Sequence, residues 1–205
     1  MKDLLIFPYS GTAIEALDCL GDKWRCIGFM SDDPNIIGRK VYGIEVYDRS
    51  ALAKFASAKV LAVHGSPSSY LKRSEILSSL DISHNRFATV IHPKASIGNY
   101  VQLGHNVLIM AGVVLTSNAI VNNHVIILPN SVIHHDSVIG ELTLIAANVT
   151  IAGNVSVGSN CYIGASSSIK NNVSLGPKIL VGMGANVISS YGEKITLIGN
   201  PAKPK

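Results

Sequence analysis

The sequence predicts two joined pieces, a small parallel α/β unit followed by an all-β coil of six-residue units. Residues 91–192 divide without remainder into hexads that each begin with Ile, Leu or Val, seventeen in succession from IHPKAS to VISSYG. Before about residue 85 that period is absent, and short apolar runs alternate with helix-like stretches. A period of six matches neither the 3.6 of a helix nor the alternation of a lone strand. It calls for a backbone that closes on itself.

The first piece is read from its N-terminus. A strand over residues 4–8 runs into SGTAIEALDCLGD, where Thr12 and Glu15 have capping-box spacing, residues 13–20 have helical apolar spacing and Gly21 is a stop. A second strand over 25–30 ends at Ser31-Asp32-Asp33-Pro34, and a third over 60–63 ends at His64-Gly65-Ser66 before a helix-like stretch through Leu80. Strand, helix, strand, then strand and helix again is a Rossmann-like order. Such units bind ligands beyond the carboxyl ends of their strands, which here means Ser10, Gly11, Thr12, Asp32, Asp33 and Gly65. Gly11 alone is not a GxGxxG fingerprint.

In the second piece every position of the hexad has a task. The fifth residue is small or apolar in nearly every unit, among them Val107, Val113, Ala119, Ser131, Ser137, Thr143 and Cys161, so it can turn inward beside the leading aliphatic. The fourth is Asn, Gly, Asp or His in eleven units, including Asn106, Gly112, His124, Asp136 and Asn154. These residue types tolerate positive φ or bond their own backbone at a tight corner. Each hexad is one short strand and one corner.

These units resemble the hexapeptide repeat of the left-handed parallel β-helix, in which three hexads make one triangular coil. The resemblance implies that residues eighteen apart are neighbours, at a strand spacing of about 4.8 Å. The whole chain further resembles the bacterial sugar acyltransferases of the NeuD/PglD type. The α/β unit precedes the coils, the chain closes on IGNPAKPK, and VIHHDSVIG stands at residues 132–140.

The resemblance implies a module of residues 1–85 that holds a nucleotide-linked amino sugar and an acyltransferase module of residues 86–205. It implies His135 as general base with Asp136 as its acidic neighbour, in place of the more usual glutamate. Acetyl-CoA would lie in a groove between neighbouring prisms of a homotrimer, near Leu144, Gly153, Ala165 and Met183. Leu144 stands where many relatives have a histidine. The stacking rule puts Gly153 one coil from His135, where its N–H could meet a developing oxyanion. The activity implied is acetyl transfer to an amine of a nucleotide-linked di- or trideoxy sugar in bacterial glycan or O-antigen synthesis, with O-acetylation of a sialic-acid-like sugar as the alternative. For Asp136, position alone favours a corner role.

Composition bounds the remaining classes. The 47% hydrophobic content and positive mean hydropathy of +0.33 come from short hexads, and no stretch reads as a membrane span. Net charge is +4 without a Lys/Arg run or basic-aromatic stripe, which suits phosphorylated small ligands better than nucleic acid. Cys19, Cys26 and Cys161 have no metal-like spacing, and no signal-peptide core follows MKDLLIF, so a reducing cytoplasm is expected. The γ-type carbonic anhydrases share the coil and hold zinc with histidines, two of them five residues apart. The coil histidines here, His92, His105, His124, His134 and His135, include no such pair, so no metal is expected. A bare β-helical scaffold would explain the hexads but not the α/β unit before them.

Overall fold

In the computed structural model, which describes all 205 residues, the N-terminal apolar runs form a five-stranded sheet. Its strands are β1 (Lys2–Phe7), β2 (Trp24–Met30), β3 (Lys40–Val41), β4 (Ile44–Tyr47) and β5 (Lys59–Ala62), in the order β3-β4-β2-β1-β5. All pairs are parallel except the edge pair β3 and β4. Leu4, Leu5 and Ile6 of the interior strand β1 are wholly buried, as a strand covered on both faces requires. The β3–β4 hairpin is too short to leave a hydrophobic pattern in the sequence; its turn, Tyr42-Gly43, has φ of 50° and 78°.

The expected helix over 13–20 is divided into α1 (Gly11–Glu15) and a 3-10 turn, Ala16–Cys19. Its cap is Ser10 and not Thr12: Ser10 is extended, with φ −168° and ψ 174°, and its Oγ accepts the Ala13 N–H at 3.2 Å. Thr12 already has its backbone inside the helix, so it cannot serve as the half-in flanking residue. Two further short helices, α2 (Ala51–Lys54) and α3 (Arg73–Ser78), complete the unit.

The hexads become seventeen two-residue strands, from Val90–Ile91 to Asn186–Val187. Each consists of the last residue of one hexad and the leading aliphatic of the next. Strands eighteen residues apart pair in parallel, Val114 with Val132, Val132 with Thr150 and Thr150 with Ser168, and the three stacks form three sheets. This arrangement fits the left-handed β-helix. Every sixth residue from Tyr100 to Gly184 has φ between 54° and 70°. The corner therefore imposes its conformation even on Tyr100, Leu142, Ser166 and Lys178, whose types do not favour it. The final turn is shorter, since Leu175 pairs with Tyr191 and Leu180 with Thr196, and a β-ladder of Thr196–Ile198 with Lys203–Pro204 ends the chain.

Leading aliphatics and fifth residues fill the prism. Where the fifth residue is Ser131, Ser137 or Thr143, its hydroxyl donates to the carbonyl of Ala146, Ala152 or Gly158. It also accepts the N–H of Val149, Val155 or Cys161 in the next coil. The hydroxyls are thus satisfied where an unpaired polar group would be costly.

One prism face carries the α/β unit. Its outward residues Leu108, Ile126 and Leu144 are buried in one core with Leu4, Ile6, Phe29 and Leu61. Equivalent outward positions on the other faces include Ser96, Gln102, Thr150, Ser156 and Ser174, all exposed. The Asn106 amide joins the two pieces, its Oδ1 accepting the Ala62 N–H at 2.8 Å and its Nδ2 donating to the Ala62 carbonyl at 3.0 Å.

Candidate functional site

The hexad register brings His135, Asp136 and Gly153 together on one edge of the prism. Asp136 occupies the left-handed corner position with φ 59°, which turns its carboxylate back beside its own predecessor. His135 Nδ1 lies 2.7 Å from Asp136 Oδ2, and Asn118 Nδ2, one coil earlier, donates to Asp136 Oδ1 at 2.9 Å. The hydrogen bonds from His135 and Asn118 hold the Asp136 carboxyl below its usual pKa, so it is ionised at neutral pH. In the neutral ring Nδ1 therefore carries the proton and Nε2 is the lone-pair acceptor.

Gly153 is directly beneath the imidazole. A Cβ at this position would stand 2.6 Å from His135 Nε2 and 2.7 Å from Cε1, so glycine is what leaves room for the ring against the next coil. Asn154 N–H donates to the His135 carbonyl at 3.0 Å, locking the two coils in register. The Gly153 N–H has no acceptor within the chain. Both side chains stay open to solvent, at 55% exposure for His135 and 45% for Asp136.

The residues expected to touch the coenzyme do not form one cluster. Ala165 and Met183 are third in their hexads, on the corner column next to the one that carries His135, and Met183 is 78% exposed. Leu144, expected in the outer groove, is instead buried beneath the α/β unit because it lies on the covered face. It lines a cavity of about 210 Å³ with Thr12, Gly65, Ser66, Pro67 and Tyr162.

A second cavity of about 280 Å³ adjoins the first at the carboxyl ends of β1 and β5. Pro8, Ser10, Thr12, Val63, His64, Gly65, Ser66 and Ser69 line it. Four of the six residues expected to hold the acceptor thus meet or flank one cleft: Ser10, Gly11, Thr12 and Gly65. The two acids are occupied elsewhere. Asp32 makes a bidentate pair with Arg49 at 2.6 and 2.7 Å, which lowers its pKa, and Asp33 accepts from the backbone and side chain of Asn35. An acid that already has a partner is a weaker acceptor for a base or ribose.

Sequence reasoning passed over a third cluster. His84, His105 and His124 bring their ring nitrogens within 4.8 Å of one another, with His84 Nδ1 3.3 Å from His105 Nε2. His84 lies outside the hexads, so no spacing rule could have joined it to the others. As a metal site the cluster is poorly poised. The Ala62 backbone fixes the Asn106 amide, whose Nδ2 then donates to His124 Nδ1 at 3.0 Å, and a neutral His124 must carry its proton on Nε2. Metal ligation through Nε2 requires the opposite tautomer. The cysteines offer no nucleophile either: burial pushes Cys19, Cys26 and Cys161 up to about 11.

Residues 118–153, which contain His135, Asp136 and Gly153, match the family model described as bacterial transferase hexapeptide (six repeats). Among solved structures, PerB from Caulobacter crescentus, in complex with CoA and GDP-perosamine, is 24% identical. The match covers 100% of this chain and 97% of that one with a TM-score of 0.83. The chain has the fold of that protein. The acetyltransferase domain of PglB from Neisseria gonorrhoeae FA1090, in complex with acetyl coenzyme A, is 20% identical over 100% and 99% of the two chains, with a TM-score of 0.87. A variant of AntD, an N-acyltransferase from Bacillus cereus in complex with dTDP-4-amino-4,6-dideoxyglucose and coenzyme A, matches at 19% identity. It covers 57% of this chain and 79% of that one, with a TM-score of 0.54. No curated protein sequence matches the chain. No helix is long and apolar enough to cross a membrane.

Proposed function

We propose that this protein transfers an acetyl group from acetyl-CoA to the amine of a nucleotide-linked amino sugar, in bacterial glycan or O-antigen synthesis. The observation that carries the reading is the His135–Asp136 pair, standing over Gly153 on an open edge of a prism fused to an α/β unit with a cleft at its strand ends. The solved structures of like fold that carry CoA together with GDP-perosamine or a dTDP-amino sugar support the same chemistry.

In this reading residues 1–85 form a Rossmann-like module for the acceptor and residues 86–205 the acyl-transfer module. The chain works as a cytoplasmic homotrimer in which the edge bearing His135 faces the Ala165–Met183 column of a second copy. That arrangement would bring together what a single chain keeps apart.

The acceptor amine attacks the thioester carbonyl carbon, forming the C–N bond while His135 Nε2 takes the amine proton. Charge develops on the carbonyl oxygen, where the unengaged Gly153 N–H can donate. Collapse breaks the C–S bond, and the imidazolium returns its proton to the leaving thiolate. Asp136 keeps Nδ1 protonated and stabilises the transient imidazolium. With every cysteine held as a thiol, direct attack is favoured over a covalent acyl-enzyme.

The test is a screen of UDP-, dTDP- and GDP-linked amino sugars with acetyl-CoA, following thiol release and the mass of the product. A mass gain of one acetyl group at the amine supports the reading. Zinc in stoichiometric amount, or thiol release with none of these amines, contradicts it.

A further inference from the structure

The net charge of +4 has a single address in the fold. Residues 1–169 carry 12 Lys and Arg against 12 Asp and Glu, whereas residues 170–205 carry five lysines, Lys170, Lys178, Lys194, Lys203 and Lys205, against Glu193 alone. From 95 to 169 the coil has no Lys or Arg. The five lysines form no run in sequence, but the coil gathers them into its last two turns and the ladder that follows. All five are exposed, and none belongs to the ion pairs of the structure, which are Asp3–Arg25, Asp32–Arg49 and Asp136–His135.

Two of these lysines occupy corners where they are costly. Lys178 and Lys194 have φ of 62° and 56° and stack on one corner column, their N–H groups donating to the carbonyls of Ser159 and Pro177. A side chain with Cβ is strained there and Asn less so, and Asn160 fills the same corner one coil earlier. Like charges on adjacent coils, at a strand spacing of about 4.8 Å, also repel. Such a local cost points to a task for the charge. Their column carries neither His135 nor Ala165 and Met183, so the charge stands apart from the residues assigned to base and coenzyme.

Between this column and the 3-10 turn Tyr70–Lys72 lies a recess of about 440 Å³, lined by Tyr70, Leu71, Lys178, Lys194, Ile195 and Thr196 and by no carboxylate. The recess has room for a phosphate-bearing headgroup. The other lysines stand on other sides of the prism: Lys170 follows the strand Ser168–Ile169, and Lys203 lies in the closing ladder opposite Ile198. What all five share is the end of the prism, where Ile188 and Ile198 are 50% and 44% exposed. An acidic globular partner would be met by one side, whereas lysines set round an end with aliphatics among them fit a plane.

We propose that residues 170–205 form a docking end for an anionic lipid surface, held by attraction between lysine and phosphate without insertion, the recess taking one headgroup. The inference goes beyond the proposed acetyl transfer and does not rest on it. Each lysine brought to such a surface contributes about fivefold in partition, and salt screens the attraction.

Flotation of the full chain with vesicles of three parts phosphatidylcholine to one part phosphatidylglycerol, and with phosphatidylcholine alone, tests this. Wild type should float with the mixed vesicles only and be released when salt is raised severalfold. Lys178→Asn with Lys194→Asn, and Lys203→Gln with Lys205→Gln, should each lower the partition coefficient by about tenfold or more. Lys23→Gln with Lys40→Gln, which takes the same charge from exposed sites on the α/β unit, should leave it unchanged, and CoA binding should be alike in every variant.

No flotation with the mixed vesicles, or equal flotation with phosphatidylcholine alone, overturns the proposal. So does an equal loss in the Lys23 and Lys40 variant, because net charge and not the prism end would then be the cause. Weakened CoA binding in the Lys178 and Lys194 variant also overturns it, since those lysines would then serve the coenzyme. Should either pair of substitutions at the prism end fail to fold, the other decides the matter.

Discussion

Asp136 has two tasks that a sequence presents as alternatives. Its φ of 59° makes it a corner residue, and the same corner aims its carboxylate at His135 Nδ1. Asp136→Asn separates them, because Asn occupies the equivalent corner in Asn118 and Asn154. Thermal stability should stay close to that of wild type while turnover falls by about tenfold or more, the loss of a charge that fixes the base's tautomer. Unchanged turnover in this variant would reduce Asp136 to a corner. Gly153→Ala should keep the coil but displace the imidazole that now lies 2.6 Å from the added methyl. Turnover should drop with little change in melting temperature, checked by kinetics beside a thermal scan. The eighteen-residue stride makes Gly153 legible in the sequence as the neighbour of His135. The engagement of Asp32 by Arg49 was not legible, because a separation of seventeen residues follows no period that relates the two.

At the scale of the element, the corner matters more than the residue placed in it. Lys178 is exposed yet held at φ 62°, a conformation that costs a side chain with Cβ roughly 1 kcal/mol and costs Asn less. Lys178→Asn should therefore raise stability by about 0.5 kcal/mol in urea unfolding. Ser137 bridges coils by donating to Ala152 O and accepting from Val155 N–H. Ser137→Ala leaves that buried N–H unpaired and should cost about 1 to 3 kcal/mol.

The strands were readable because each hexad repeats one instruction, whereas the β3–β4 hairpin and the 3-10 turn after α1 state theirs once and briefly. The face that carries the α/β unit did leave a signal. Leu108, Ile126, Leu144, Tyr162 and Leu180 recur every eighteen residues at a position that points outward, which is intelligible only if something covers them.

On the scale of the molecule, the joint between the two pieces holds buried groups whose protonation bears on stability. Burial and neighbouring cations hold His124 down to about 4, against an ordinary value of 6.5. A base whose folded pKa is depressed binds its proton more readily when unfolded, so its stability contribution is intact above pH 6.5 and is lost as pH falls towards about 4. His105, also lowered by burial, acts in the same direction. Urea midpoints should fall across that window in wild type and fall less in His124→Asn, which retains a corner-tolerant residue. A midpoint as pH-dependent in the variant as in wild type would exclude His124 as the cause.

The same joint sets the cleft proposed for the acceptor against one face of the prism while His135 stands on another edge. The chemistry therefore depends on whether that histidine removes the proton from an acceptor amine. The most direct measurement is single-turnover amide formation from acetyl-CoA and the best amino-sugar acceptor, comparing wild type with His135→Ala at equal coenzyme occupancy. If His135 is the general base, the rate of amide formation should fall by about 10²- to 10⁴-fold, with coenzyme binding unchanged. Amide formation at the wild-type rate in His135→Ala would contradict that role.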